Sequence, residues 1–237
     1  MRVQTSFSAD KAGKGTLYLV ATPIGNLQDM TFRAVDILRA VDCIAAEDTR
    51  QTQKLLNHFA VSARLVSYHE HNKRTSGAKL IELMLSGQSI ALVSDAGLPG
   101  ISDPGYDLVK AAIEHDIAVI PVPGANAALS ALIVSGLDTS RFTFIGFLPK
   151  EKKKMMEVLE RYKQAEETII LYEAPHRLVQ TLTGCLQVFG EREAAVAREL
   201  TKIHEEVIRG TLSECVEHFS REKPQGEFCI IIAGAKQ

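Results

Sequence analysis

No run of eighteen apolar residues occurs in this chain, although 46% of its 237 residues are hydrophobic, so no segment has the length and apolarity of a membrane-spanning helix. A chain of that size can still bury a substantial core, in one large domain or two small ones. Net charge is also scarce. The 27 basic and 29 acidic residues give −2, which excludes steering of the whole molecule onto nucleic acid and leaves that task to a local basic patch. Cys43, Cys185, Cys215 and Cys229 are far apart, with no C-x-x-C or other short metal-ligand spacing. They read as buried thiols of a reducing, cytoplasmic protein. No G-x-G-x-x-G follows an expected strand, so the dinucleotide-binding fingerprint is missing. AGKGT at 12–16 lacks the earlier glycine of a phosphate-binding loop and has Gly15 where Ser or Thr should follow Lys14. HEHNK at 69–73 sets its histidines two apart, whereas a helical zinc motif needs four, so no metal is expected. The first fifteen residues, MRVQTSFSADKAGKG, contain no apolar core of signal-peptide length and read as a flexible tail.

What remains is a regular alternation of apolar strands and amphipathic helices. Strands are expected at 16–21, 43–46, 65–68, 90–93 and 118–122, with Phe32, Val35, Leu38 and Val41 marking one face of the first helix. Further helices are expected near 52–59, 77–85 and 106–114. Strand-helix-strand repetition makes a parallel sheet the default for this half, an N-terminal α/β domain over 16–122. The segment IPVPGANAA, with Pro121, Pro123 and Gly124, then marks a boundary before a helix at 127–134. The C-terminal α/β domain, 123–237, has strands expected at 142–147, 168–172, 194–197, 206–208 and 228–232. Residues 194–197 and 206–208 lie too close for an intervening helix, so this second sheet should be mixed.

The most unusual stretch is LVSDAGLPGISDPG at 92–105, in which a strand runs into three glycines, two prolines and two copies of Ser-Asp-x-Gly. Ligands of open α/β sheets sit at the carboxyl ends of strands, and this loop occupies such an end. Phosphate is a poor fit, because no Lys or Arg occurs from 89 to 109 and Asp95 and Asp103 repel anions. Bare backbone and carboxylates suit a ligand with hydroxyls, an amine or cationic charge. Asp103 has an alternative role as N-cap of the following helix, with Pro104 at its first position; Asp95 has no such local role in the sequence.

Other loops should open on the same edge: TPIGNLQD at 22–29, AEDTR at 46–50, SYHEHN at 67–72 and PVPGANAA at 121–128. Asp48 and Thr49 also read as a helix cap. In the second half, YEAPHR at 172–177 ends a strand. Arg177 there opposes the dipole of the helix after Pro175, so an anion should answer it: either Glu173 or an RNA phosphate. KEKKK at 150–154 is the densest positive cluster, a solvated face or an RNA contact.

Taken in order, ATPIGNLQD, AEDTR, SDAGLPGISDPG, PVPGANAA, GFLP, YEAPHR and ARELTKIHEE resemble one family: the ribosomal small-subunit RNA ribose-2′-O-methyltransferase I family, a branch of the tetrapyrrole methylases. The resemblance runs from about Gly15 to Gly234. It implies a two-domain α/β fold, S-adenosylmethionine held in the cleft between domains, a homodimer, and 2′-O-methylation of a ribose, a cytidine's, in 16S RNA of the assembled small subunit. It places the cofactor against Pro23, Val93, Ser94, Asp95, Leu98, Asn126, Ala127, Glu173 and Leu200. Leu98 departs from the family's usual Thr. A poorly acidic 2′-hydroxyl needs help to lose its proton, and the candidates are Glu47, His69, Glu173 and His176, with Arg50, Arg177 and Lys202 as electrostatic helpers. Two other readings stay open, a small-molecule methylase acting on a tetrapyrrole and a non-catalytic RNA-binding module; cofactor titration separates the latter.

Overall fold

The computed structural model describes residues 4, 13–221 and 223–235. The expected tail at 1–15 lies outside the described residues apart from Gln4 and 13–15. Gln4 exchanges two side-chain hydrogen bonds with the Val119 backbone, at 2.8 and 2.9 Å. The chain separates into two compact units, Met1–Asn126 and Ala127–Gln237.

In the first unit, strands β1 (Thr16–Val20), β2 (Cys43–Ala46), β3 (Leu65–Ser67), β4 (Ile90–Val93) and β5 (Ala118–Val122) alternate with helices α1 (Phe32–Ala40), α2 (Thr49–His58), α3 (Lys73–Leu85) and α4 (Tyr106–Glu114). The sheet order is β3-β2-β4-β1-β5 and every pairing is parallel. Strands β2 and β4 are buried at every residue, as continuous apolar runs covered on both faces must be. The period of two sorts their side chains. Leu17, Cys43, Ala45, Ile90 and Leu92 pack with α3 and α4, while Val20, Ile44, Ala46, Ala91 and Val93 pack with α1 and α2. Parallel strands also put all five carboxyl ends on one edge.

Three local expectations need correction. Phe32 shares the helical spacing of Val35 and Leu38, but as the first residue of α1 it joins no core cluster and is 93% exposed; Ala34, Val35 and Leu38 form the buried stripe. Asp103 does not cap α4. That helix starts at Tyr106, and its N-cap is Gly105, which has no side chain to bond. Helices α2 and α3 begin earlier than apolar periodicity indicates, α2 because the Asp48 carboxylate accepts the Arg50 N–H at 2.8 Å, α3 because its first turn, Lys-Arg-Thr-Ser, is polar.

The second unit comprises α5 (Ala127–Ser135), β6 (Phe142–Phe147), α6 (Lys152–Arg161), β7 (Thr168–Glu173), α7 (Leu178–Phe189), β8 (Glu193–Arg198), β9 (Glu206–Thr211), α8 (Leu212–Arg221) and β10 (Phe228–Ile232). Its sheet, β6-β7-β10-β8-β9, is mixed: β6 and β7 are parallel, and the other pairings are antiparallel. Ile169, Leu171, Val196, Ile230 and Ile232 face α6, α7 and α8; Ile170, Ala195, Cys229 and Ile231 face α5. All four cysteines are buried and free. Burial pushes the Cys185 and Cys229 thiols up to about 12, so both stay protonated at neutral pH.

The Thr31 hydroxyl caps α1 by accepting the Ala34 N–H at 3.1 Å. Thr31→Ala should therefore cost about 1 kcal/mol of unfolding free energy in urea, and Thr31→Ser should recover most of it. Equal stability of the Ala variant and the parent would show that the cap contributes nothing.

Candidate functional site

The loops after β1 and β4 are joined backbone to backbone at the carboxyl edge of the first sheet. Thr22 N–H donates to the Gly97 carbonyl at 2.9 Å, and Gly97 N–H donates to the Thr22 carbonyl at 3.0 Å. The Thr22 hydroxyl adds a bond to the Ser94 carbonyl at 3.1 Å. Gly97 has φ +78°, a conformation that side chains rarely adopt, and this positive φ permits the pairing. Farther along, the stretch folds back on itself: a Cβ on Gly105 would lie 3.0 Å from the Gly100 backbone. The bare backbone of 92–105 is thus required by two close approaches of chain to chain. Ser102 between them is held at φ +64°, a strained non-glycine position with no signal in the sequence.

This geometry leaves carboxylates at the edge. Asp103 is pushed up to about 7, first by burial and then by the charges of Glu47 and Asp95. Glu47 is raised as well, by burial and by Asp95, against an opposing contribution from His69. Glu47, Asp95, Asp103 and His69 therefore sense one another across the ends of β2, β3 and β4. Asp103, which the sequence offered as a helix cap, belongs to this group; the only signal for it was an aspartate in a glycine-rich loop at a strand end. Asp95, which has no local capping role, acts at long range: its Oδ1 accepts the Asp48 N–H at 3.1 Å and ties the β4 loop to the β2 loop.

Arg50 grips Asp48 with Nε at 3.2 Å and Nη2 at 2.9 Å, and this clamp holds the Asp48 carboxyl down to about 2 while Arg50 stays exposed. His69 receives the Asn72 side chain on its backbone N–H at 2.8 Å. Its Nδ1 is buried with no hydrogen-bond partner among the described residues. Pro23 and Leu98 are half-buried on the same edge, Val93 and Ser94 are buried, and Ser94 Oγ donates to the carbonyls of Ala96 and Gly97. Asn126 is the last residue of the first unit and Ala127 opens α5 in the second.

In the second unit, Glu173 is enclosed. Its carboxylate accepts from the Thr181 hydroxyl at 2.6 Å and the Ala174 N–H at 2.9 Å, and lies 3.5 Å from Arg177 Nη2, with side-chain exposures of 0% and 11%. Arg177 donates further to the carbonyls of Leu148 and Pro149, at 3.1 and 2.9 Å. Of the two anions that could answer Arg177, the structure selects Glu173. Both side chains are engaged in this pair, and breaking a buried pair of this kind costs about 3–5 kcal/mol. His176, beside them, is exposed. Leu200 sits between Glu199 (φ +49°) and Thr201 (φ +67°), two strained residues the sequence did not announce. Lys202 braces that turn through Glu199 at 2.8 Å and Glu227 at 3.1 Å. Lys150 and Lys152, Lys153 and Lys154 of α6 are exposed, and Lys154 pairs with Glu151 at 2.8 Å. Among the described residues, no group of three or more His, Cys, Asp or Glu side chains could hold a metal ion, and no helix is long and apolar enough to cross a membrane.

Residues 16–216 match the family described as Tetrapyrrole (Corrin/Porphyrin) Methylases. Among curated proteins, the chain is 58% identical over 235 residues to the ribosomal RNA small subunit methyltransferase I of Halalkalibacterium halodurans, covering 99% of this chain and 81% of that one. It is 55% identical over 235 residues to the protein of that name from Bacillus subtilis, covering 99% and 80%. Solved structures of similar fold include cobalt precorrin-4 methyltransferase (TM-score 0.68, 13% identity, 96% and 98% covered) and diphthine synthase (TM-score 0.72, 13% identity, 92% and 90% covered). At such identity they share the fold alone.

The raised Asp103 carboxyl gives a pH test with a definite sign. Its ordinary value of 3.8 is raised to about 7 in the fold, so the stability it contributes is complete below about pH 4 and is lost as pH rises through 7. Asp103→Asn removes the ionisation. Its melting temperature relative to the parent should therefore rise between pH 5 and pH 8; parallel curves would refute a raised Asp103.

Proposed function

The chain belongs to the tetrapyrrole methylase family and, within it, to the ribosomal RNA small subunit methyltransferase I family, and from that membership we propose that it methylates a ribose 2′-oxygen, a cytidine's, in small-subunit ribosomal RNA. S-adenosylmethionine is the methyl donor of this family. The loops of the first unit suit it: they combine close-packed bare backbone with Glu47, Asp95 and Asp103, and 89–109 contains no cation that would select a phosphate. That match of donor chemistry to loop chemistry carries the reading. When bound, the donor supplies an activated methyl carbon.

The chain's own part is to orient and to move a proton. Pro23, Val93, Ser94, Asp95 and Leu98 hold the donor, positioned by the Thr22–Gly97 pairing and by the Asp95 bond to Asp48. Transfer forms a bond from the ribose oxygen to the methyl carbon and breaks the sulfur–carbon bond, and the hydroxyl proton must leave. His69 and Glu47 stand together at the edge to accept it, and Asp103 and Asp95 would favour binding of the positively charged donor and release of the neutral thioether product. Glu173 and Arg177 act as an internal brace in this reading. The protein works in the cytoplasm as a homodimer on assembled or nearly assembled small subunits. A tetrapyrrole substrate has no support from the site beyond the shared fold.

A cation arriving beside Asp103 lowers its raised value, so binding S-adenosylmethionine near pH 6.5 should release protons, whereas S-adenosylhomocysteine, which lacks the sulfonium charge, should release fewer. Calorimetry in buffers of different ionisation enthalpy reads the difference; identical proton release for both ligands would place the sulfonium away from Asp103. The function itself is tested with labelled donor and three acceptors: small subunits lacking the modification, naked RNA and a tetrapyrrole. Label mapped to a ribose 2′-oxygen is expected. Label on a base or on the tetrapyrrole would overturn it.

A further inference from the structure

Two neighbouring residues at the start of α1 are placed against local physical preference. Phe32 leaves 93% of its surface in water, and Leu27, in the short turn before it, is 41% exposed, so an apolar patch adjoins the loop after β1. Arg33 is the second residue of α1, where a cation opposes the helix dipole. It is exposed, and among the described residues it has no ion pair or hydrogen-bond partner. Neither residue is needed for the helix, which is capped by Thr31 and seated on Ala34, Val35 and Leu38. Both stand on the edge where the five strands end, next to the loop that Thr22 and Gly97 hold in place.

We infer that Phe32 and Arg33 form a platform for single-stranded RNA at the rim of the site, the ring stacking on an unpaired base and the guanidinium meeting a backbone phosphate. The inference rests on the proposed RNA methylation and names the form of RNA engaged. An aromatic face offers every base the same surface but only when the base is out of a helix, and a cation beside it matches the phosphate that each nucleotide carries. Consecutive helical residues point about 100° apart, so ring and guanidinium can address base and backbone without competing. The acidic edge beyond, with Glu47, Asp95 and Asp103, would repel phosphate, so a cation at the rim is where the RNA backbone can be held.

The test uses the full chain, a labelled ten-nucleotide single-stranded RNA, a fully paired hairpin, and small subunits lacking the modification. Phe32→Ala should weaken binding of the single strand about tenfold with the salt dependence unchanged, and Phe32→Tyr should restore it. Arg33→Ala should weaken binding and lower the slope of log affinity against log salt by about one phosphate contact. Hairpin affinity should move little. Leu85→Ala, an exposed apolar residue at the far end of α3, is the control and should change nothing. Unchanged single-strand affinity in both variants, equal losses for strand and hairpin, weakened S-adenosylmethionine binding, or halved mass of the Phe32→Ala protein in light scattering would each overturn the platform, the last marking the patch as a contact between copies. Failure of the parent protein to bind or methylate any RNA would instead remove the reading on which the platform rests, and the platform with it.

Discussion

The pair of backbone hydrogen bonds between Thr22 and Gly97 is the constraint from which the site follows. Strands β1 and β4 are adjacent and parallel, so their chains leave the sheet side by side, and without a partner the polar backbone of both loops would have to be met by water. Pairing the loops to each other meets that need. It requires a residue at position 97 that tolerates a positive φ, and it leaves the side chains of Ser94 and Asp95 at the turn between strand and bridge. Asp95 then reaches the Asp48 N–H, and the β2 loop joins the assembly through one further bond.

Once the loops are fixed, their charges cannot separate. Glu47, Asp95 and Asp103 come from two loops and are held near one another by backbone geometry, with burial added. Water would separate such carboxylates in a free chain; here the repulsion is relieved by protonation, most of all at Asp103. A neutral ligand would gain nothing from this arrangement. A ligand with fixed positive charge would, because it relieves the repulsion on arrival, and after losing a methyl group from a sulfonium it would no longer do so.

The second unit solves its charge problem in the opposite way. Glu173, at the end of β7, and Arg177, four residues on, are closed upon each other, with Thr181, Ala174, Leu148 and Pro149 satisfying the remaining donors and acceptors. A pair so completely bonded fixes the corner where β7 turns into α7. Lys202 serves the turn around Leu200 similarly, through Glu199 and Glu227. Residues that look alike in sequence, charged side chains after strands, thus divide into like charges gathered at an edge and opposite charges locked inside a corner.

Much of this was legible in the sequence by itself. Apolar runs of two kinds of covering, a helical spacing such as Val35 and Leu38, and the missing room for a helix between β8 and β9 determined both sheets, because periodicity and chain length are local properties. The absence of Lys and Arg from 89–109 argued against a phosphate ligand at that loop. Tertiary structure alone decided which polar residues are available to that ligand, because availability depends on what each side chain meets across the chain. Asp103 became one of three facing carboxylates when α4 began at Tyr106; Glu173 and Arg177 paired with each other; Phe32 left the stripe that its spacing assigned to it. Spacing sets the direction of a side chain along its own helix or strand, whereas burial and charge are set by neighbours that lie far away in sequence and close only after folding.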